Sequence, residues 1–206
     1  GVTAQGISYL PAADLTNGEH TVQVEVKDFA GNQTQQTWSF KIQTDATPPT
    51  GSIMIEAGAE AISKTEVTLL LFAADPESGI TQMRFSNDAA NWTAWMPYLS
   101  PKTYNLSPPD GTKTVYVEYK NGAGLTAIFS DTIILDTTPP VITAIITPAP
   151  NAAGWNNTDV TVSFSATDEL SGIANVTSPI TVITEGFGQL ITGTAADKAG
   201  NQSVKS

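Results

Sequence analysis

The chain has 206 residues, no cysteine, and a formal net charge of −11 from 20 acidic and 9 basic residues. That balance repels nucleic acid and anionic membrane surfaces, because phosphate recognition depends on Lys and Arg. The lack of cysteine removes thiolate chemistry and cysteine zinc sites, and no apolar run reaches the ~20 residues that span a bilayer. Small exported domains often rely on disulfides, so a cysteine-free chain of this kind must be held by packing, or by packing plus a metal. No signal-peptide pattern stands at Gly1, and the segment is expected to be a mature or excised piece.

Strand patterns run from end to end. Ile7–Leu10, His20–Lys27 and Thr37–Gln43 are the first three; Val22, Val24 and Val26 alternate with polar residues, as do Trp38, Phe40 and Ile42. Such alternation puts one face on a core and the other in water. A group of seven follows: Ser52–Glu56, Glu66–Ala74, Thr81–Ser86, a Trp-rich strand around Trp92–Met96, Thr103–Leu106, Thr114–Lys120 and Ile128–Leu135. The last group is Val141–Thr147, Asp159–Thr167, Ile173–Val176, Ile180–Thr184 and Gln189–Ala196. Short strands broken by Gly, Pro, Asn and Asp clusters predict an all-β chain of sandwiches.

Three phrases repeat in order. Asp45-Ala46-Thr47-Pro48-Pro49 returns as Asp136-Thr137-Thr138-Pro139-Pro140. Asp75-Pro76-Glu77-Ser78-Gly79-Ile80 returns as Asp168-Glu169-Leu170-Ser171-Gly172-Ile173. Asp28-Phe29-Ala30-Gly31-Asn32 returns as Asp197-Lys198-Ala199-Gly200-Asn201, with a degraded copy at Asn121-Gly122-Ala123-Gly124-Leu125. A period of about 90 residues with punctuated boundaries indicates tandem modules. The expected division is 1–45 as the carboxyl-terminal part of one domain, 46–137 as a complete domain, and 138–206 as a third domain lacking its last strand. The Pro pairs at the boundaries favour extended, semi-rigid linkers, whereas Pro108-Pro109 before Asp110-Gly111 is expected in a turn.

These phrases, with Leu15–Val22 and Trp38-Ser39-Phe40, resemble tandem bacterial immunoglobulin-like domains. The resemblance implies immunoglobulin-like β-sandwiches, one complete and two partial. It also implies an extracellular or cell-surface setting: adhesin stalks, surface-layer components or accessory modules of secreted enzymes. Some arrays of this kind are stiffened by calcium at their junctions.

Immunoglobulin topology brings the entering linker, the loop after the second strand and the loop after the sixth to one end of the sandwich. For the middle segment that end would collect Asp45, Asp75, Glu77 and Asn121; for the third, Asp136, Asp168, Glu169 and Asp197. Crowded carboxylates repel unless a cation compensates. Calcium accepts six to eight oxygens in irregular geometry, whereas magnesium demands a stricter octahedron. Asn121 removes one charge from the middle set. The competing expectation is that these Asp residues only cap turns.

Trp92, Trp95 and Tyr98 could stack on sugar rings, but their odd spacing in an extended strand would put the two tryptophans on opposite faces, one in the core. His20, the single histidine, is expected at the solvated surface. No Gly-rich phosphate loop, nucleophile elbow or His-Glu-x-x-His pattern occurs, so no enzymatic activity is expected. The expected role is a structural spacer of a secreted surface protein, with neighbouring immunoglobulin-like domains of the same or an adjacent chain as partners. The alternatives are a filament subunit completed by strand exchange and a glycan-binding accessory module.

Overall fold

A computed structural model describes residues 9–206. The chain forms two compact units, residues 1–47 and 48–206.

The described part of the first unit is a hairpin of β1 (Gly18–Lys27) and β2 (Gln33–Ile42), paired antiparallel from Gly18↔Ile42 to Lys27↔Gln33. Both strands are longer than the sequence pattern indicates. Of the expected strand Ile7–Leu10, residues 7–8 lie outside the described residues and 9–10 are irregular. His20 is half-buried rather than solvated: its ring stacks on Phe40, with centroids 5.7 Å apart.

The second unit begins with two sheets. One has the order β3-β5-β8, from Thr50–Ile55, Glu66–Ala74 and Lys102–Asn105. The other has the order β4-β10-β9-β6-β7, from Ala61–Ile62, Thr126–Leu135, Gly111–Asn121, Ile80–Ser86 and Met96–Pro97. This is an immunoglobulin-type sandwich: the first strand splits, its second part β4 crossing to run parallel to β10. Inward residues alternate along the strands, so Val67, Leu69 and Leu71 share one apolar core with Val115, Val117, Ile133 and Leu135. Full burial of each such side chain contributes about 1.5–3 kcal/mol. Tyr119 is also buried, with its hydroxyl donating to Ser52 O at 2.8 Å.

Two expectations for this sandwich fail. The strand β4 has no sequence signal, because two residues are too few to show a period. The Trp-rich strand shrinks to Met96–Pro97, with an isolated bridge Ser86↔Trp92 before it. The cause is a turn: the Asp88 carboxylate accepts from Ala90 N and Asn91 N, and Ala89 has φ +58°. That turn brings both indoles to one place. Trp92 and Trp95 lie 5.0 and 4.5 Å from the Arg84 guanidinium, and neither belongs to the core.

Two further sheets follow, β11-β12-β14 (Val141–Thr147, Val160–Thr167, Ile180–Val182) and β13-β15-β16 (Ile173–Val176, Gly193–Asp197, Gln202–Lys205). A last strand is therefore present: β16 pairs with β15 from Gly193↔Lys205 to Ala196↔Gln202. The sequence hides it because only four residues follow the turn before the pattern stops.

Candidate metal centre

The turn Asp-x-Ala-Gly-Asn has one geometry in all three copies. The first residue's N–H donates to the fifth residue's carbonyl: Asp28 to Asn32 at 3.0 Å, Asn121 to Leu125 at 3.0 Å, Asp197 to Asn201 at 3.1 Å. The fourth residue is glycine at φ +92°, +88° and +95°, where a Cβ would be strained. In the first copy the Asp28 carboxylate also accepts from Asn32 N and Nδ2, which holds its carboxyl below the usual range. Turn chemistry thus accounts for the phrase by itself. What distinguishes the third copy is its surroundings.

Asp136 follows β10 directly and is fully buried. Its N–H donates to Ile62 O at 2.9 Å, extending the pairing with β4. Its carboxylate accepts from Thr138 N and Ser171 N, both at 3.1 Å. Asp168 follows β12 and folds the next loop around one oxygen: Oδ1 accepts from Ser171 N at 3.0 Å and Gly172 N at 2.8 Å. Asp197 ends β15, is 2 % exposed, and accepts from Asn201 N and Nδ2, each at 2.8 Å. One carboxylate oxygen from each of Asp136, Asp168 and Asp197 lies within 4.8 Å of the others.

That spacing suits one cation. Calcium–oxygen bonds of about 2.3–2.6 Å place opposite ligands up to about 5 Å apart. The charge balance points the same way. Among the described residues the three ion pairs are Lys64–Glu56, Arg84–Glu118 and Lys198–Glu60, and none engages the triad. Lys198, next to Asp197, directs its ammonium to Glu60 at 3.8 Å instead. Three anionic groups, two of them buried, would stand without a compensating charge.

The other expected ligands fare differently. Glu169 is exposed and outside the triad. It replaces Pro76 of the middle phrase, while Glu77 corresponds to Leu170, so the two glutamates occupy non-equivalent turn positions; Glu77 is exposed as well. Asp75 reproduces Asp168, its Oδ1 accepting from Glu77 N at 3.1 Å and Ser78 N at 2.8 Å. Asn121, at the place of Asp197, is 1 % exposed, and its Nδ2 donates to Asp75 Oδ2 at 3.0 Å. Asn121 is thus a donor to a carboxylate where a ligand was expected. Asp45 belongs to the first unit, where its carboxylate accepts from Thr47 N at 2.9 Å.

Three groups that the sequence reading passed over hold the linker 136–140. Asn201 Nδ2 donates to Asp136 O at 2.8 Å, and Ser203 Oγ to Pro140 O. The Asp110 carboxylate accepts from Thr137 N at 2.8 Å and from the hydroxyls of Thr137 and Thr138. The Thr137 N–H bond is the main reason its carboxyl lies below the usual range. The first unit has the same clamp: Asn17 Oδ1 accepts from Thr44 N at 2.7 Å and Thr44 Oγ1 at 2.8 Å. In both, an Asn-Gly or Asp-Gly pair precedes the strand and the threonine lies 27 residues on, a spacing visible in the sequence.

Residues 2–44 match the family described as bacterial Ig-like domain. That segment is similar to the family; the match does not extend to residues 45–206. Among solved structures, the fibronectin(III)-like modules of Clostridium thermocellum CbhA align over 73% of this chain and 88% of theirs, at 10% identity and TM-score 0.45. A tetra-tandem repeat from the extending region of a large adhesion protein aligns over 93% of this chain and 56% of its own, at 16% identity and TM-score 0.29. No curated protein matches.

Proposed function

We propose that this chain is a structural spacer segment of a secreted or cell-surface protein. In this proposal, residues 1–45, 46–137 and 138–206 are successive immunoglobulin-like domains, and calcium locks the junction between the second and third. The single observation that carries the proposal is the meeting of Asp136, Asp168 and Asp197. One ligand comes from the linker and two come from loops of the following sandwich, so a cation there would tie the linker to the sandwich that it enters. The protein's own part is to hold the ligands. Ser171 N–H, Thr138 N–H and the Asn201 amide fix the carboxylates and the linker backbone before any ion arrives. The ion would supply positive charge and nothing catalytic.

The test is isothermal calorimetry with calcium on the intact chain, with thermal unfolding in calcium and in chelator alongside. Binding at one site with a rise in melting temperature supports the proposal; no binding at millimolar calcium overturns it.

The strand-exchange filament meets an obstacle. The hairpin of the first unit and the β15–β16 hairpin carry the same turn, so a whole-hairpin exchange would duplicate strands that the third segment already has. The glycan-binding alternative draws on one observation, the convergence of Trp92 and Trp95. Arg84 occupies a face of each ring, and Lys120 Nζ lies 5.2 Å from Trp95. A glycan array with the wild type and Trp95→Ala separates a sugar platform from a cluster that pins the loop.

A further inference from the structure

The chain carries two Asn-Gly pairs, Asn17-Gly18 and Asn121-Gly122. Asparagine is thermolabile, and a glycine after it puts no Cβ between its nitrogen and the asparagine side-chain carbonyl. The fold treats the two pairs in opposite ways. Asn121 is 1 % exposed and its amide is engaged at both ends: Nδ2 donates to Asp75 Oδ2, and Oδ1 accepts from Leu125 N at 2.8 Å. The Gly122 N–H donates to Gly79 O at 3.0 Å, and Ser78 crowds the glycine. Neither an attack by that nitrogen nor the water that must follow has room there.

Asn17 is exposed, directly ahead of β1. Gly18 is the first residue of that strand, at the end of the ladder where pairing opens most readily. A Cβ built on it would meet nothing within 4 Å. Asn17 Oδ1 accepts from Thr44 N at 2.7 Å and from Thr44 Oγ1 at 2.8 Å. That oxygen takes the negative charge when Gly18 N attacks Asn17 Cγ, so two donors already point at the developing oxyanion. The second unit carries the acid form of the same arrangement. Asp110-Gly111 stands at the equivalent place, and its carboxylate accepts from Thr137 N at 2.8 Å and Thr137 Oγ1 at 3.0 Å.

We infer that Asn17 is a self-modification site: in the folded chain it converts to an acidic residue, while Asn121 is preserved. Gly18 N bonds to Asn17 Cγ and gives its proton to water. The Cγ–Nδ2 bond breaks, the leaving nitrogen takes a proton, and ammonia departs from a five-membered imide. Water then opens the imide, at Cγ to give aspartate or at the main-chain carbonyl to give isoaspartate. One water is consumed and one ammonia released, with no oxidation or reduction. The aspartate keeps the clamp on Thr44 in the form that Asp110 shows, and it adds a negative charge. The inference involves no cation, so it stands or falls separately from the calcium proposal.

The test is incubation of the intact chain in isotope-labelled water at mildly alkaline pH, natively and in guanidinium chloride. Peptide mapping by mass spectrometry then reads the labelled oxygen that marks each opened imide. The expected native result is label at position 17 at least ~10-fold above that at position 121, accumulating no more slowly than in denaturant. In denaturant the gap between the two positions should close. As a second measurement, Asn17→Asp should leave the Thr44 amide as protected from hydrogen exchange as in the wild type. Native conversion at position 17 that is no faster than at 121, or slower than in denaturant, overturns the inference. A gap that persists in denaturant, or loss of Thr44 protection in Asn17→Asp, overturns it as well.

Discussion

The two equivalent places at Asn121 and Asp197 differ by little more than an amide for a carboxylate. Both follow an inner strand, both start the same glycine turn, and both face an Asp whose Oδ1 caps the preceding loop. At Asn121 the side chain donates to Asp75, and the pair is satisfied within the protein. At Asp197 the same place holds a third acceptor among carboxylates. Under the calcium proposal, one fold closes such an end in two ways, by an internal hydrogen bond or by recruiting an ion. The choice rests on whether one side chain can donate.

The largest effect is expected from Asn121→Asp. It removes a buried donor and sets a second carboxylate against Asp75, which should destabilise the second unit by about 2–4 kcal/mol in chelator. Urea unfolding measures this, and calcium should recover part of the loss. An unchanged midpoint would show that the amide is incidental.

The reciprocal change, Asp197→Asn, should give the third sandwich the chemistry of the middle one. The calcium-dependent rise in melting temperature should vanish, while stability in chelator stays equal or increases. For the wild type, calcium at 100-fold above its dissociation constant should add about 2.7 kcal/mol. A calcium response that survives the substitution would move the site elsewhere.

A smaller effect concerns Gly122, which departs from Lys198 at the matching position. A Cβ at Gly122 would come within 2.6 Å of Ser78 O, so Gly122→Ala should cost about 1–3 kcal/mol through a forced backbone shift. Lys198→Ala should cost almost nothing, since its ion pair with Glu60 is exposed.

The smallest effect is the linker clamp. The lowered Asp110 carboxyl contributes stability that is fully present above the ordinary carboxylate range. That contribution is lost as pH falls through its depressed value. Amide exchange at Thr137, corrected for intrinsic rates, should therefore rise selectively in acid and in Asp110→Ala at neutral pH. Equal protection in the variant would remove Asp110 from the account.

Much of this was legible in the sequence. Alternating rows such as Val115, Val117 and Tyr119 are all buried, as period two requires. The repeated phrases placed Asp136, Asp168 and Asp197 together because each sits at a strand end on the same side of the sandwich. What was hidden depends on local angles and single atoms. Glu77 and Glu169 counted as acidic neighbours, although both are exposed and occupy non-equivalent turn positions. The Trp92–Met96 segment looked extended because nothing in its pattern reveals that Asp88 caps a turn with Ala89 in the left-handed region. Asn121 looked like a weakened ligand; only coordinates show its amide aimed at Asp75.

The measurement that bears most directly on the central claim is a calcium titration of the intact chain and of Asp197→Asn by calorimetry at neutral pH. One saturable site in the wild type, absent from the variant, is the predicted result. Heat that is absent in both, or identical in both, would contradict it.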